Sequence, residues 1–313
     1  MSGLHHSVIS AFAVPGIVKE KGYYKTRDGT RMIRKTKDTA GQISARHHII
    51  EHCIKAGYPW IDRYHLTQFG QPYIFADAEN HIMLDLIPHR EADFTDAQEF
   101  IMVVEAVARW HACARDLALP SALHIGRPPV PLTDSFRTQA ETLTAIHKRI
   151  RRQSKWSDFD VLFLKSYHEY KERMHRARQL LESTNYLKRW QKARQMNHIC
   201  HGGLKEECLR IHKDKVYITK LEQATVDYQL NDLCSLIRRR EKLDKDVQQI
   251  DRNTIYKAYS KILHTEPEEE VILEAMLLYP LAFVKIVLEY YQKKRSWTPV
   301  AMANKMREIL GTQ

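Results

Sequence analysis

The spacing of apolar and polar residues divides the chain into a short-period front and a helical remainder. In residues 17–35, IVKEKGYYKTRDGTRMIRK, aromatic and β-branched positions flank Arg27-Asp28-Gly29, which predicts a hairpin. A helix is expected from about Ala40 to Lys55, ended by Gly57 and by Tyr58-Pro59, because the residue before a proline is pushed out of helical geometry. Gln71 to Phe75 and His81 to Ile87 read as strands separated by the polar residues 77–80, with Pro88 closing the second. The first ninety residues therefore predict a small sheet with one helix packed on it.

From Asp96 to Leu117 the period becomes helical, with Phe100, Val103, Val104, Val107, Ala108 and His111 on one face and Thr95 or Asp96 as the cap. GRPPVPL, Gly126 to Leu132, is an extended loop, and two long helices follow, roughly Asp134 to Arg152 and Asp158 to Leu181. The last third is mainly helical apart from a strand-like run at Val216 to Thr219. In EPEEEVILEAMLLYPLAFVKIVLEYY, Glu266 to Tyr291, acids at the front complement the helix dipole and Pro280 kinks or divides an apolar body. No internal repeat is evident. The pattern predicts an α+β fold with a small mixed lobe, 1–90, and a mainly helical lobe, 91–313, the organisation of a two-lobed nucleotide-binding enzyme.

Composition narrows this picture only a little. Hydrophobic residues make up 43% and charged residues 28% of the chain, the balance of an ordinary folded protein. No apolar stretch approaches the ~18 residues of a membrane span, and the N-terminus lacks the pattern of a secretion signal. Cys53, Cys113, Cys200, Cys208 and Cys234 form no CxxC pair, so neither a disulfide framework nor a zinc knuckle is expected, and a reduced intracellular compartment is the default. The formal net charge of +11 is compatible with an anionic partner such as nucleic acid, an acidic polymer or an acidic protein surface, and does not choose between them.

Chemistry concentrates in Cys200-His201-Gly202-Gly203-Leu204-Lys205-Glu206-Glu207-Cys208 and in Val216-Tyr217-Ile218-Thr219-Lys220-Leu221-Glu222. A phosphotransferase needs a carboxylate to orient the attacking hydroxyl, an amide or carboxylate to hold magnesium, and an Asp on the metal that bridges the phosphates. Here the loop offers Gly203 and Cys208, and the strand offers Lys220.

These segments resemble those of the bacterial spore coat family of the CotS, CotI and YutH type, within the aminoglycoside phosphotransferase and choline kinase branch of the kinase-like fold. That branch carries roughly HGDxxxxN in the loop and D-[FW]-[DE] after the strand. His201-Gly202 match the opening, Gly203 stands at the Asp, Cys208 at the Asn and Lys220 at the metal Asp, with Leu221 and Glu222 following. VARWHACARD at 107–116, Asp232-Leu233 in DLCSLIRR, and YPLAFVKIVLEYYQKKRSW at 279–297 extend the likeness through most of the chain.

The resemblance implies a two-lobed kinase-like fold without a catalytic residue or a metal site, because a lysine and a thiol are poor hard-metal ligands. It also implies a strand cation for phosphate, Arg34 with Lys35 as the neighbouring register, and Glu51 as the helix partner that holds it. Arg34, Glu51 and Lys220 thus form the candidate remnant of a nucleotide or anion site. No GxGxxG run covers it; only Gly16 and Gly22 are near.

The plainer readings of these residues stand beside the functional ones. His201 either shapes the loop or takes part in chemistry, and Cys208 is either a small buried hydrophobe or a nucleophile without an evident base. Lys220 is a salt-bridging or an anion-contacting lysine; Arg34 and Glu51 are a solvated pair or a remnant clamp; Trp110 and His111 pack a helix. HKRIRRQSKW, His147 to Trp156, is a dipole-matched helix end or a phosphate-binding run, and His48 and His52 lack a third zinc ligand.

The leading expectation is a catalytically inactive kinase-like structural or interaction protein without a cofactor. The resemblance implies synthesis in the cytoplasm, assembly onto the spore surface, and docking to other coat proteins or to itself; nucleic acid is a weaker candidate. The alternative is an ATP-dependent small-molecule phosphotransferase with rearranged residues.

Overall fold

A computed structural model describes residues 10–12, 18–20, 23–26, 29–86, 90–119, 125, 129–243, 249–292 and 298–311. The expected turn residues Arg27 and Asp28, together with Gly16, Gly22, Pro88, the first three residues of GRPPVPL and residues 293–297, lie outside them. The chain divides into two compact units, one of residues 1–129 with 191–265, the other of residues 130–190 with 266–313. This division runs on different lines from a lobe boundary at residue 90.

The first unit begins with an antiparallel sheet. Strands β1 (Val18–Glu20), β2 (Tyr23–Thr26), β3 (Gly29–Thr36), β4 (Ile74–Ala76) and β5 (Glu79–Asp85) lie in the order β1-β2-β3-β5-β4. β2 and β3 form the expected hairpin, with Thr26 paired to Gly29 and the Thr26 hydroxyl donating to the Gly29 carbonyl at 2.7 Å. Helix α1 (Ala40–Lys55) spans the expected residues because Thr39 and Gln42 form a capping box. Its buried face is Ile43, Arg46, Ile50 and Cys53, a helical stripe interrupted by one cation. β4 starts three residues later than the sequence suggests, because Thr67 and Gln71 close a turn by two hydrogen bonds just before it.

After the short strand β6 (Arg90–Glu91), helix α2 (Ala97–Cys113) is capped by Asp96, whose side chain accepts from the Glu99 amide at 2.9 Å. It stops short of the expected Leu117, since Asp116 adopts a positive φ of 54° that no α-helix accommodates. Later in this unit, β7 (Ile199–Cys200) pairs with β10 (Thr225–Val226), and β8 (Leu209–His212) with β9 (Lys215–Ile218) makes a hairpin edged by β6. An isolated bridge, Ile61 to Ile218, ties that hairpin to the chain that leaves α1. Helices α6 (Leu230–Arg240) and α7 (Arg252–Leu263) complete the unit, α7 packing along α2.

The second unit is helical: α3 (Leu132–Arg151), α4 (Asp158–Glu182), the start of α5 (Tyr186–Gln195), α8 (Pro267–Leu278), α9 (Leu281–Tyr291) and α10 (Pro299–Leu310). α3 begins two residues before the expected Asp134, directly after Pro131, whose carbonyl accepts from Asp134 and Ser135. Pro280 divides the apolar C-terminal run into α8 and α9, which meet at a 42° bend. No single helix among the described residues is long and apolar enough to cross a membrane.

An aromatic cluster fills this unit. Phe163, fully buried, sits 5.6 Å from the Tyr167 ring, 5.6 Å from Tyr291 and 6.2 Å from Phe283. Removing its ring leaves a cavity among these aromatic neighbours. Phe163→Ala is therefore expected to lower the unfolding free energy by about 3–5 kcal/mol. Phe75→Ala, at a ring 66% exposed on edge strand β4, should stay within about 0.5 kcal/mol. Urea unfolding of both variants checks the contrast.

Candidate functional site

The site is built on the loop between β7 and β8. Asp232, in the first turn of α6, is almost wholly buried and accepts the amide of His201 at 2.6 Å and that of Gly202 at 3.0 Å. His111 of α2 adds Nε2 at 3.1 Å and turns Nδ1 to the Tyr259 hydroxyl at 2.8 Å. Burial opposes ionisation of Asp232, but the hydrogen bond and charge of His111, with the His201 side, hold its carboxyl below the usual range. Burial likewise keeps His111 below its ordinary value, against the pull of Asp232.

His201 spans the loop in the other direction. Its Nε2 donates to the Thr219 carbonyl at 2.8 Å, and the Thr219 amide donates to the Cys208 carbonyl at 2.9 Å. These bonds tie the loop of Gly203 and Cys208 to the strand end that precedes Lys220. Gly202 takes φ 75°, and a Cβ there would lie 2.4 Å from the Gln223 carbonyl, so only glycine fits. At Gly203 a Cβ would meet only the movable end of the Gln223 side chain, 2.5 Å from Oε1. The amide of Gln223 thus stands beside the space that an Asp side chain would enter.

The three positions carry no metal-binding chemistry. The Cys208 thiol, pushed up chiefly by burial, points to the Gly203 carbonyl at 3.6 Å and is not poised as a thiolate. Lys220 sits in the left-handed region at φ 61° and places Nζ 3.1 Å from Glu207 Oε2. Lys205 grips the other oxygen of Glu207. Hydrogen bonds from Lys205 and then Lys220 lower the Glu207 carboxyl to about 2. A magnesium ion would have to displace two ammonium groups from that carboxylate, so these residues do not fit the metal.

Arg34 on β3 faces the same region and donates Nη2 to Glu222 Oε1 at 2.5 Å. Lys35, one residue on, points away and pairs with Glu79 at 2.7 Å. Glu51 is not the partner of Arg34: it takes Arg63 through bonds of 2.7 and 2.9 Å. The residue of α1 that turns toward the site is Arg46, which holds Asp38 and donates to the Glu222 backbone carbonyl at 2.9 Å. Burial works against ionised Asp38, but Arg46 and Thr36 together hold its carboxyl below the usual range.

Asp62 is the further carboxyl here, with Oδ2 3.4 Å from the Lys220 amide. Burial raises it from 3.8 to about 6 despite the nearby charge of Arg34. Arg46 left a signal in the sequence, a cation on the apolar stripe of α1. Asp62 left none, since it lies in a segment without regular period, and Glu207, inside the loop singled out above, carried no mark of its pairing with Lys220.

Comparison with known proteins bears on the family and the fold. The family model described as "Spore coat putative kinase YutH" matches residues 16–313. The chain belongs to that YutH family. No curated protein sequence matched. Among solved structures, an aminoglycoside phosphotransferase from Alicyclobacillus acidocaldarius is similar at TM-score 0.76 and 14% identity, over 98% of this chain and 94% of that one. Spectinomycin phosphotransferase APH(9)-Ia in its AMP-bound complex gives TM-score 0.60 and 10% identity over 97% and 94%. The amicoumacin kinase hAmiN gives 0.60 and 11% over 98% and 93%. This YutH family member therefore has the two-lobed kinase-like fold of the aminoglycoside phosphotransferases, with a mixed β N-lobe and a helical C-lobe.

Two outcomes test the site. Asp232→Asn leaves the loop amides and His111 competing for a weaker acceptor and is expected to cost about 3 kcal/mol in urea unfolding at neutral pH. Asp62 has a folded pKa above its unfolded one, so its contribution is fully present below 3.8 and is lost as pH rises through about 6. Asp62→Asn removes that loss, and above this window the variant should be more stable than the parent. Equal pH slopes for the two proteins would overturn the assignment.

Proposed function

We propose that this protein is a catalytically inactive kinase-like component of the spore, acting in the coat by docking to other coat proteins or to itself. The observation that carries the reading is the internal neutralisation of the site: Lys220 is held by Glu207 and Arg34 by Glu222. A triphosphate would have to break both pairs without gaining a metal bridge. Gly203 offers no base in compensation, and the Cys208 thiol is kept protonated by its surroundings. The family name supports a spore setting, and with it synthesis in the cytoplasm followed by assembly onto the spore surface. The net charge of +11 favours acidic surfaces among the partners.

One observation favours a second reading, an ATP-dependent small-molecule phosphotransferase with rearranged residues. Asp62, raised to about 6 beside Arg34, has the perturbed carboxyl that acid–base sites use. Calorimetry and ADP release with ATP, with and without magnesium, separate the two. The expected result is no magnesium-dependent binding at millimolar nucleotide and no turnover. ADP release that requires magnesium and disappears in Asp62→Asn would instead establish the enzyme.

A further inference from the structure

The hairpin that joins α3 to α4 ends in a feature that plays no part in the kinase-like site. Between Glu141 and Asp158 the chain contains no acid, while Lys148, Arg149, Arg151, Arg152 and Lys155 fall within eight residues. All five are exposed, as is every residue from Arg151 to Trp156. The next acids along the chain are engaged elsewhere: Asp158 with Arg307 at 3.6 Å, and Asp160 with Ser157 and with the Tyr291 hydroxyl at 2.6 Å. Among the described residues, no ion pair joins any of the five cations to a carboxylate.

Trp156 gives this projecting tip an apolar component. The residue is 52% exposed, yet its Nε1–H donates to the Ile150 carbonyl at 3.0 Å. The indole's polar handle is therefore satisfied, and what faces outward is ring hydrocarbon. Beneath it the tip is firmly seated, with Phe159 stacked on Tyr290 at 3.9 Å and the Arg149 guanidinium 5.6 Å from the Tyr291 centroid. Complementing the α3 dipole would account for cations in its last turn. It does not account for Lys155 beyond the helix end, nor for an outward-facing tryptophan ring.

We propose that this tip is a peripheral docking surface for an anionic lipid bilayer. Lysines and arginines gather at the charged headgroup layer, and an amphipathic aromatic ring settles at the boundary below it. A groove-tracking nucleic-acid surface would instead set several aromatic platforms along a cationic channel, whereas here a single exposed tryptophan stands among the cations of one turn. The phosphate chemistry is common to lipid headgroups, nucleic acid and free phosphate, so the test includes all three.

The full-length chain is sedimented with vesicles of phosphatidylcholine alone, or of phosphatidylcholine containing phosphatidylglycerol, across a salt series. Binding is expected only to the anionic vesicles and should weaken as salt shortens the Debye length. Each cation near such a surface is worth roughly a fivefold change in partitioning, so R151Q/R152Q/K155Q should lower binding about a hundredfold. Trp156→Ala should weaken binding while Trp156→Phe retains most of it. A tryptophan needed only to cap Ile150 would be lost equally in both. Circular dichroism and the urea midpoint of each variant separate lost binding from lost fold.

Several results would overturn the proposal: no vesicle binding, equal binding to neutral vesicles, or an unchanged triple variant. So would displacement by inorganic phosphate beyond that produced by chloride at the same ionic strength, which would mark a free-anion site, or tighter binding to a short DNA duplex, which would mark a nucleic-acid surface. This surface stands apart from the inactive-kinase reading, and either can fail while the other holds.

Discussion

Everything about the β7–β8 loop depends on one buried carboxylate. Asp232 is closed off from water, so its charge is tolerable only because two loop amides and one imidazole converge on it. That requirement holds the loop to α6 and α2 at once. It is independent of phosphate, metal or substrate. The loop conformation is therefore held by the protein's own polar groups, with Gly203, Cys208 and Lys220 as the side chains it presents.

The charges left in the site answer one another. Arg34 has Glu222, Arg46 has Asp38, and Lys220 shares Glu207 with Lys205. A working phosphotransfer site leaves carboxylates for a divalent cation and cations for phosphate, so that bound nucleotide completes the balance. Here the balance closes within the protein. Asp62 stands apart: it has no cation of its own at bonding distance among the described residues, and burial lifts it toward neutrality. Stability in this region is thus drawn from the same residues that binding would need.

Much of the fold was legible because long elements repeat their signals. α1 carries a capping box and an apolar stripe, α4 has Ser157 and Asp160 at its start, and Pro280 marks a break that no packing could remove. The short strands β6, β7 and β10 have two residues each, too few for an alternation to show. β8 was missed for a similar reason: Leu209 and Ile211 alternate over only four residues, and their meaning appears only when β9 folds back on them. Glu51 was expected to hold Arg34, but the acid that does so is Glu222, and the α1 residue that turns toward that acid is Arg46. Arg46 and Glu51 are about 140° apart around the helix, and sequence distance does not say which one faces the site.

By itself the sequence determined the identities that no fold can change: a glycine, a thiol and a lysine at positions 203, 208 and 220, and an acid-free cationic run ending in Trp156. These are chemical facts about side chains, and they stand whatever the backbone does. Tertiary structure alone decided which charges meet. Arg34 and Glu222 lie 188 residues apart, and Asp232 reaches His111 across 121. Pairing over such distances is set by the packing of sheet, helix and loop, and short-range periodicity carries no record of it.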